Sequence, residues 1–431
     1  MLEKIRNIRD ENSFLNLRVV YIGGMIFFQI LTPILFIRGY GLGKYGIWIM
    51  SVSLVTFFNF IDLGFFNSII NKVIGLRAEN LLEQSETLLE TLWILLFRVT
   101  SFLVFVILCV WIFGFGEFNP KPLLVLLALA SIFQVLIRLN EAIARAHLDS
   151  TGFRFLVMAY FFESICLMMG LYNRLSFENL ALLLLASRLF FVLVGNVMNR
   201  ARINYSRALE IKWNALFLFA RRNLKEGLFF LVMPLGNLLL FDGSNIVLGL
   251  YISKEFVAEL NLLRISTGVI RQFSSAVLTS YSPYISHAMY SNDSSMIHKL
   301  RTRIRSLLLI GVGAISLGLV VMTNFLFSNF FKNSALISTT VFYIFLVSVI
   351  LDIPWNFRAS FIFAVNRHVK ISMGFLTSSL LALLFVYPLA QNLGLLGVAL
   401  AYSVQDVLLT GFAFKKSSEM IRFYGTNRVV E

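Results

Sequence analysis

The chain has 431 residues, 58% of them hydrophobic and only 14% charged, with a mean hydropathy of +0.80. Soluble domains carry about a quarter charged residues, so composition excludes a soluble enzyme and indicates an integral membrane protein. The formal net charge of +14 raises the question of nucleic acid, which the distribution of that charge answers in the negative below.

The amino-terminal stretch MLEKIRNIRDENSFLNLR is charged through Arg18 and lacks a short apolar core before a small-residue cleavage site. It reads as a cytoplasmic tail rather than a signal peptide. A spanning helix needs about 20 mostly apolar residues. In chain order such runs fall near 19–38, 45–71, 91–113, 122–143, 154–172, 179–199, 226–250, 256–285, 306–328, 336–363, 371–390 and 394–414. The expected fold is therefore all-α, a polytopic membrane protein of about twelve transmembrane helices.

Basic residues set the orientation. With the amino terminus and every second loop inside, that side collects 26 of the 37 Lys and Arg, the outside six, and the spans five. Both termini are thus expected in the cytoplasm. The positive charge is a topology signal, so the natural partners of the loops are membrane lipids and not nucleic acid. Outer loops are short: GYGLGK, GFGEFNPK, NRLSF, ISKE, NFFKNS and QNLG leave no room for an external domain. On the inner side, GLRAENLLEQSETLLE and part of IKWNALFLFARRNLKEG read as amphipathic surface helices.

The span spacing repeats. A shift of 211 residues lays the first six spans on the second six, with weak residue identity. Residues 1–200 and 226–414 then form two six-helix halves, with a cytoplasmic linker at 201–225 and a tail at 415–431. Six spans per half make the repeats parallel, with a pseudo-two-fold axis along the membrane normal and a central cavity expected between the bundles.

Five arginines lie inside the spans: Arg98, Arg188, Arg264, Arg271 and Arg358. Each costs roughly 2.5–3.5 kcal/mol at the centre of a lipid-exposed helix, so the side chains should face a polar space. Arg264 and Arg271, seven residues apart, share one helix face, flanked by Gln272. Structural ion pairing or snorkelling towards head groups is the competing account, strongest for Arg98 and Arg358 near the inner surface. Five intramembrane acids, Asp62, Glu163, Asp242, Asp352 and Asp406, match the arginines in number. They serve ion pairing or coupling to a proton or sodium gradient. Pro33, Pro234, Pro283, Pro354 and Pro388 mark bends.

Motifs for catalysis and cofactors do not appear. His147, His287, His298 and His368 stand singly at span ends, and Cys109 and Cys166 sit in apolar runs without metal-ligand or disulfide spacing. No phosphate loop or nucleophile elbow is found. The expectation is a non-enzyme with no cofactor and no metal.

The stretch FIRGYGLGKYGIWIMSVSLVTFFNFIDLGFFNSIINK, with Tyr45, Gly46, Asp62, Leu63 and Gly64, resembles the first-to-second helix region of bacterial polysaccharide flippases. GLFFLVMPLGNLLLFDGSNIVLGLYISKEFVAELNLLRI followed by YSPYISHAM is similar to the start of that family's second half. The family belongs to the multidrug/oligosaccharidyl-lipid/polysaccharide exporter superfamily. The resemblance implies a flippase of the bacterial inner membrane. It would move undecaprenyl-pyrophosphate-linked oligosaccharide, such as an O-antigen unit of lipopolysaccharide, to the outer leaflet by alternating access. Other polysaccharide-assembly membrane proteins would be partners. Arg188, Arg264 and Arg271, with Arg98 and Arg358 behind them, would contact the pyrophosphate and sugars. The lipid-II-exporting branch usually has two extra helices, which this chain lacks. A cation-coupled drug antiporter on the same fold is the alternative, although its usual first-helix acid is missing. A membrane-embedded polymerase or ligase is disfavoured by the short outer loops.

Overall fold

The computed structural model describes residues 21, 23–62, 64–78, 81–113, 121–147, 151–290, 294–329, 336–363 and 369–426. The amino-terminal tail, Leu63, His368 and much of the loops GFGEFNPK and NFFKNS lie outside them. The described residues are helical, with no strand among them.

The helices are α1 (Gly23–Tyr40), α2 (Leu42–Val55), α3 (Phe65–Ala78), α4 (Leu82–Phe113), α5 (Pro122–Ala146), α6 (Thr151–Tyr172), α7 (Phe177–Met198), α8 (Tyr205–Glu210), α9 (Trp213–Leu238), α10 (Ser244–Tyr251), α11 (Lys254–Tyr290), α12 (Ser294–Val321), α13 (Thr323–Asn329), α14 (Thr339–Phe363), α15 (Val369–Leu393) and α16 (Leu395–Thr426). Ten segments among the described residues are long and apolar enough to cross a bilayer. The other two of the twelve expected spans are helical but break that pattern. The run 45–71 is split by a 3₁₀ turn at Thr56–Phe60 before α3 begins. The run 256–285 lies in the 37-residue α11, where Glu259, Arg264, Arg271 and Gln272 interrupt the apolar pattern.

The two segments read as surface helices are helical but not separate elements. LLEQSETLLE opens α4 without a break, and WNALFLFARRNLKEG opens α9. Charged first turns continue directly into spanning stretches because nothing in either segment stops a helix. α9 ends at a π-helical turn, Leu239–Gly243, which carries Asp242.

The chain forms two compact units. The N unit comprises residues 38–40 and 50–238, and the C unit residues 1–37, 41–49 and 239–431. In the N unit, Ile69, Leu89, Leu92, Ile94, Ile137, Ile143, Phe155, Phe191 and Leu216 build one apolar core. Ser176 caps α7, its Oγ accepting from the Asn179 N–H at 3.3 Å, with Glu178 in the first turn where the helix dipole favours it. In the C unit, Phe342, Phe345, Trp355, Val386 and Val398 are buried where α14, α15 and α16 pack together. Ser253 caps α11, accepting from Phe256 N–H at 3.0 Å.

The Tyr-Gly element has a local physical role within the C unit. Tyr45 is buried, packs on Phe36 at 5.4 Å, and its hydroxyl accepts from Asn261 Nδ2 at 2.6 Å. A Cβ at Gly46 would collide with the Lys254 carbonyl, so only glycine allows α2 this close to the start of α11.

Candidate functional site

The richest charged cluster lies inside the C unit, on α11, α14, α16 and the π turn. Arg264 and Arg271 do share a face of α11: their guanidinium carbons lie 5.2 and 4.9 Å from the Phe241 ring centroid. The π turn puts Phe241 between them. Beyond that shared ring, their partners differ in kind.

Arg271 is held by charge. Its Nε donates to Asp352 Oδ2 at 3.0 Å. Trp355 Nε1–H donates to Asp352 Oδ1 at 3.0 Å and to Asp406 Oδ1 at 3.2 Å, so one indole bridges two carboxyl groups. The i, i+3 spacing of Asp352 and Trp355 places both on one face of α14. Both carboxyl groups are buried, whereas the Arg271 side chain is 33% exposed. It is the accessible edge of an otherwise enclosed triad.

Arg264 is held by neutral oxygens. Its Nη1 donates to Asn245 Oδ1 at 2.7 Å and to the Phe241 carbonyl at 3.1 Å, and its Nη2 donates to the Tyr402 hydroxyl. Its Nε is buried without a hydrogen-bond partner. Asp242 is within electrostatic reach. The cluster thus sets Asp242, Asp352 and Asp406 against Arg264 and Arg271, one carboxyl more than it has guanidinium groups. Gln272, the predicted flank, donates to Gln29 of α1.

The other predicted residues have partners of their own within each unit. Within the N unit, Arg188 grips Glu163 with both ends: Nε to Oε2 at 2.9 Å and Nη2 to Oε1 at 2.7 Å. Such a two-point fork is the strongest geometry the pair can adopt, and it engages the Nε–H and one Nη2–H of Arg188. Arg98 donates to the Leu209 carbonyl at 3.0 Å and stacks 5.0 Å from the Trp213 ring, the anchored arrangement expected near a membrane surface. Asp62 is buried within electrostatic reach of Arg138. In the C unit, Arg358 lies 4.1 Å over the Phe414 ring. Within the C unit, Arg264 and Arg271 meet at Phe241, while Arg358 lies over Phe414.

Sequence reasoning missed Arg138, a sixth arginine inside a spanning helix, and the neutral groups Trp355, Tyr402 and Asn245 that position the charges. Trp355 was the findable one, since an indole three residues after an intramembrane acid is placed to donate to it. Tyr402 carries no such signal, because its partner lies 138 residues away.

No family model matches the sequence, and no curated protein matches it either. Solved structures do match in three dimensions over nearly the whole chain. An outward-facing multidrug resistance transporter of the MATE family, MOP superfamily, superposes with a TM-score of 0.68 at 14% identity, covering 96% of each chain. The MATE multidrug transporter DinF-BH in complex with R6G gives 0.69 at 12% identity over 95% of each. The Vibrio cholerae MATE transporter VcmN gives 0.62 at 12% identity over 96% of this chain and 97% of that one. The fold is that of the MATE transporters. Such identities carry the architecture of two helical bundles and a multi-pass membrane protein, and the matched proteins are transporters rather than enzymes.

Proposed function

We propose that the protein is an ion-coupled exporter that works by alternating access, with Asp352, Asp406 and Arg271 as its coupling centre. The supporting observation is the excess carboxyl in the C unit. Two carboxyl groups joined by the Trp355 N–H and served by one arginine lose their surplus charge on taking up one proton or sodium ion. A group that gains and loses a cation inside a membrane bundle is what gradient-driven transport requires.

For the substrate, the multidrug transporters among the structural neighbours favour a drug-like small molecule, in line with the alternative reading of the sequence, a cation-coupled drug antiporter. Intramembrane arginines would disfavour a cationic cargo only if their charge were uncompensated. Arg188 and Arg271 are bonded to carboxylates, and the C-unit cluster is net acidic if fully ionised. One observation favours the second reading, a lipid-linked oligosaccharide: Arg264 is held by neutral acceptors and has a spare buried Nε–H. A pyrophosphate oxygen would satisfy that donor.

A single pair of assays separates them. In proteoliposomes with an imposed pH or sodium gradient, a cation antiporter drives uptake of a fluorescent organic cation, and Asp352→Asn abolishes it. In cells lacking the protein, a flippase leaves lipid-linked repeat units on the inner leaflet and restores surface polysaccharide when returned, with Arg264→Ala inactive. Gradient-independent dye movement with normal surface polysaccharide in deletion cells would refute both.

A further inference from the structure

The first turns of α9 carry three adjacent stripes. Leu216, Asn223 and Gly227 form the buried one, packed into the N unit. Next to it, Trp213, Phe217, Leu224 and Leu228 recur on one helix face, all exposed, Trp213 by 61% and Phe217 by 71%. Beyond them lie the exposed cations Arg221, Arg222 and Lys225. No acid occurs between Lys212 and Lys225, and the next one, Glu226, is paired with Lys72 at 2.7 Å. At the head of the apolar stripe stands Arg98 of α4, its guanidinium carbon 5.0 Å from the Trp213 ring centroid. Its one hydrogen bond among the described residues runs from Nη2 to the Leu209 carbonyl at 3.0 Å, so Nε and Nη1 have none. Nor has it an ion-pair partner there: Glu90, two turns earlier on α4, lies 3.5 Å from Arg207 instead. All these residues belong to the N unit.

An exposed apolar stripe beside a basic one is the pattern of a helix that lies along a lipid–water interface. Neutral lipid would cover the rings but leave the cations without counter-charge. A free anion would answer the cations but leave the rings in water. An anionic phospholipid satisfies both. We propose that Arg98, Trp213 and the adjoining stripes of α9 bind an anionic phospholipid, with its phosphate on the unbonded edge of the Arg98 guanidinium. A guanidinium forks onto phosphate oxygens, and one stacked on an indole keeps its N–H edge available. Trp213 suits the boundary, since its ring is apolar and its Nε1–H is a donor. Phe217, Leu224 and Leu228 lie along the acyl chains, while Arg221, Arg222 and Lys225 draw the head groups of neighbouring anionic lipids. The site uses none of the C-unit acids, so it stands whichever cargo is carried.

The test is quenching of Trp213 emission, taken as the difference between the full-length protein and its Trp213→Phe variant in neutral-detergent micelles. Phosphatidylglycerol brominated on its acyl chains should quench at a several-fold lower mole fraction than brominated phosphatidylcholine. Arg98→Gln should remove most of that preference. Arg221→Gln/Lys225→Gln, at exposed positions, should weaken it without changing the melting temperature. Arg305→Gln, which removes an exposed cation of the C unit, is the charge-matched control and should keep it. Equal quenching by the two lipids would overturn the site, as would a full preference in either N-unit variant or an equal loss in the control. Inorganic phosphate at matched ionic strength should leave the preference unchanged. Its abolition would show free phosphate to be the ligand and overturn the lipid.

Discussion

Gly64 and Gly227 meet backbone to backbone within the N unit. Gly64 adopts φ +75°, and a Cβ there would overlap the Gly227 carbonyl oxygen and lie 3.0 Å from the Leu231 nitrogen. The Asp-Leu-Gly element thus ends in a glycine for two reasons, a left-handed turn before α3 and contact between α3 and α9. Just beyond it, Lys72 pairs with Glu226 at 2.7 Å and Ser68 donates to the same carboxylate at 3.2 Å. The polar rungs and the glycine contact together set how α3 lies on α9.

Gly64→Ala is accordingly expected to destabilise the protein by at least about 2 kcal/mol, the left-handed penalty of roughly 1–2 kcal/mol plus the overlap. Loss of membrane-inserted protein or of thermal stability in detergent would register it. Gly411→Ala, where nothing lies within 4 Å of the new Cβ, is the control and should be neutral or slightly stabilising. Equal behaviour of the two variants would contradict this account.

The Arg188–Glu163 fork is expected to behave as a structural pair. Its side chains are 18% and 23% exposed, so each single alanine variant should cost about 1–3 kcal/mol, below the range for fully buried pairs. Leucine at both positions should recover most of that loss, since no charge is then stranded. A double-mutant cycle on melting temperatures reads the coupling. Full additivity would show that the two groups do not depend on each other.

A pH dependence is expected at His147, which lies beyond the α5 spanning stretch. Its Nδ1–H donates to the Ile143 carbonyl at 2.8 Å, leaving Nε2 to accept from Arg77 Nη2 at 2.7 Å. Burial first, then the charges of Arg77 and Arg202, push the imidazole below its ordinary value of 6.5. A lowered base binds fewer protons in the native state than in the unfolded chain. Its contribution is therefore intact above 6.5 and declines as pH falls through that value. His147→Gln should flatten the melting curve across about pH 7.5 to 5. An unchanged slope would remove His147 as its source.

Coupling through the Asp352–Asp406 pair predicts asymmetric variants. Asp352 accepts from both Arg271 and Trp355, whereas Asp406 accepts from Trp355 but not from Arg271. Asp406→Asn should leave the protein inserted and stable but make transport insensitive to the ion gradient. Asp352→Ala should also lower stability, because it removes the carboxylate that holds both Arg271 and the buried Trp355 indole. Gradient-driven transport surviving in Asp406→Asn would exclude the pair as the coupling centre.

The sequence by itself determined the class of molecule. Apolar runs of spanning length, a one-sided excess of Lys and Arg, and the shared face of Arg264 and Arg271 all follow from local periodicity and the cost of charge in lipid. Only the tertiary structure decided what each charge meets. Glu163 is 25 residues from Arg188, Asp352 is 81 from Arg271, and Tyr402 is 138 from Arg264. Pairings at such separations depend on how helices pack, which hydropathy does not encode. The presence of acids and arginines within the spans was visible in the sequence. That Arg188 is bonded to a carboxylate while Arg264 rests on neutral oxygens was settled by which helix faces lie against each other.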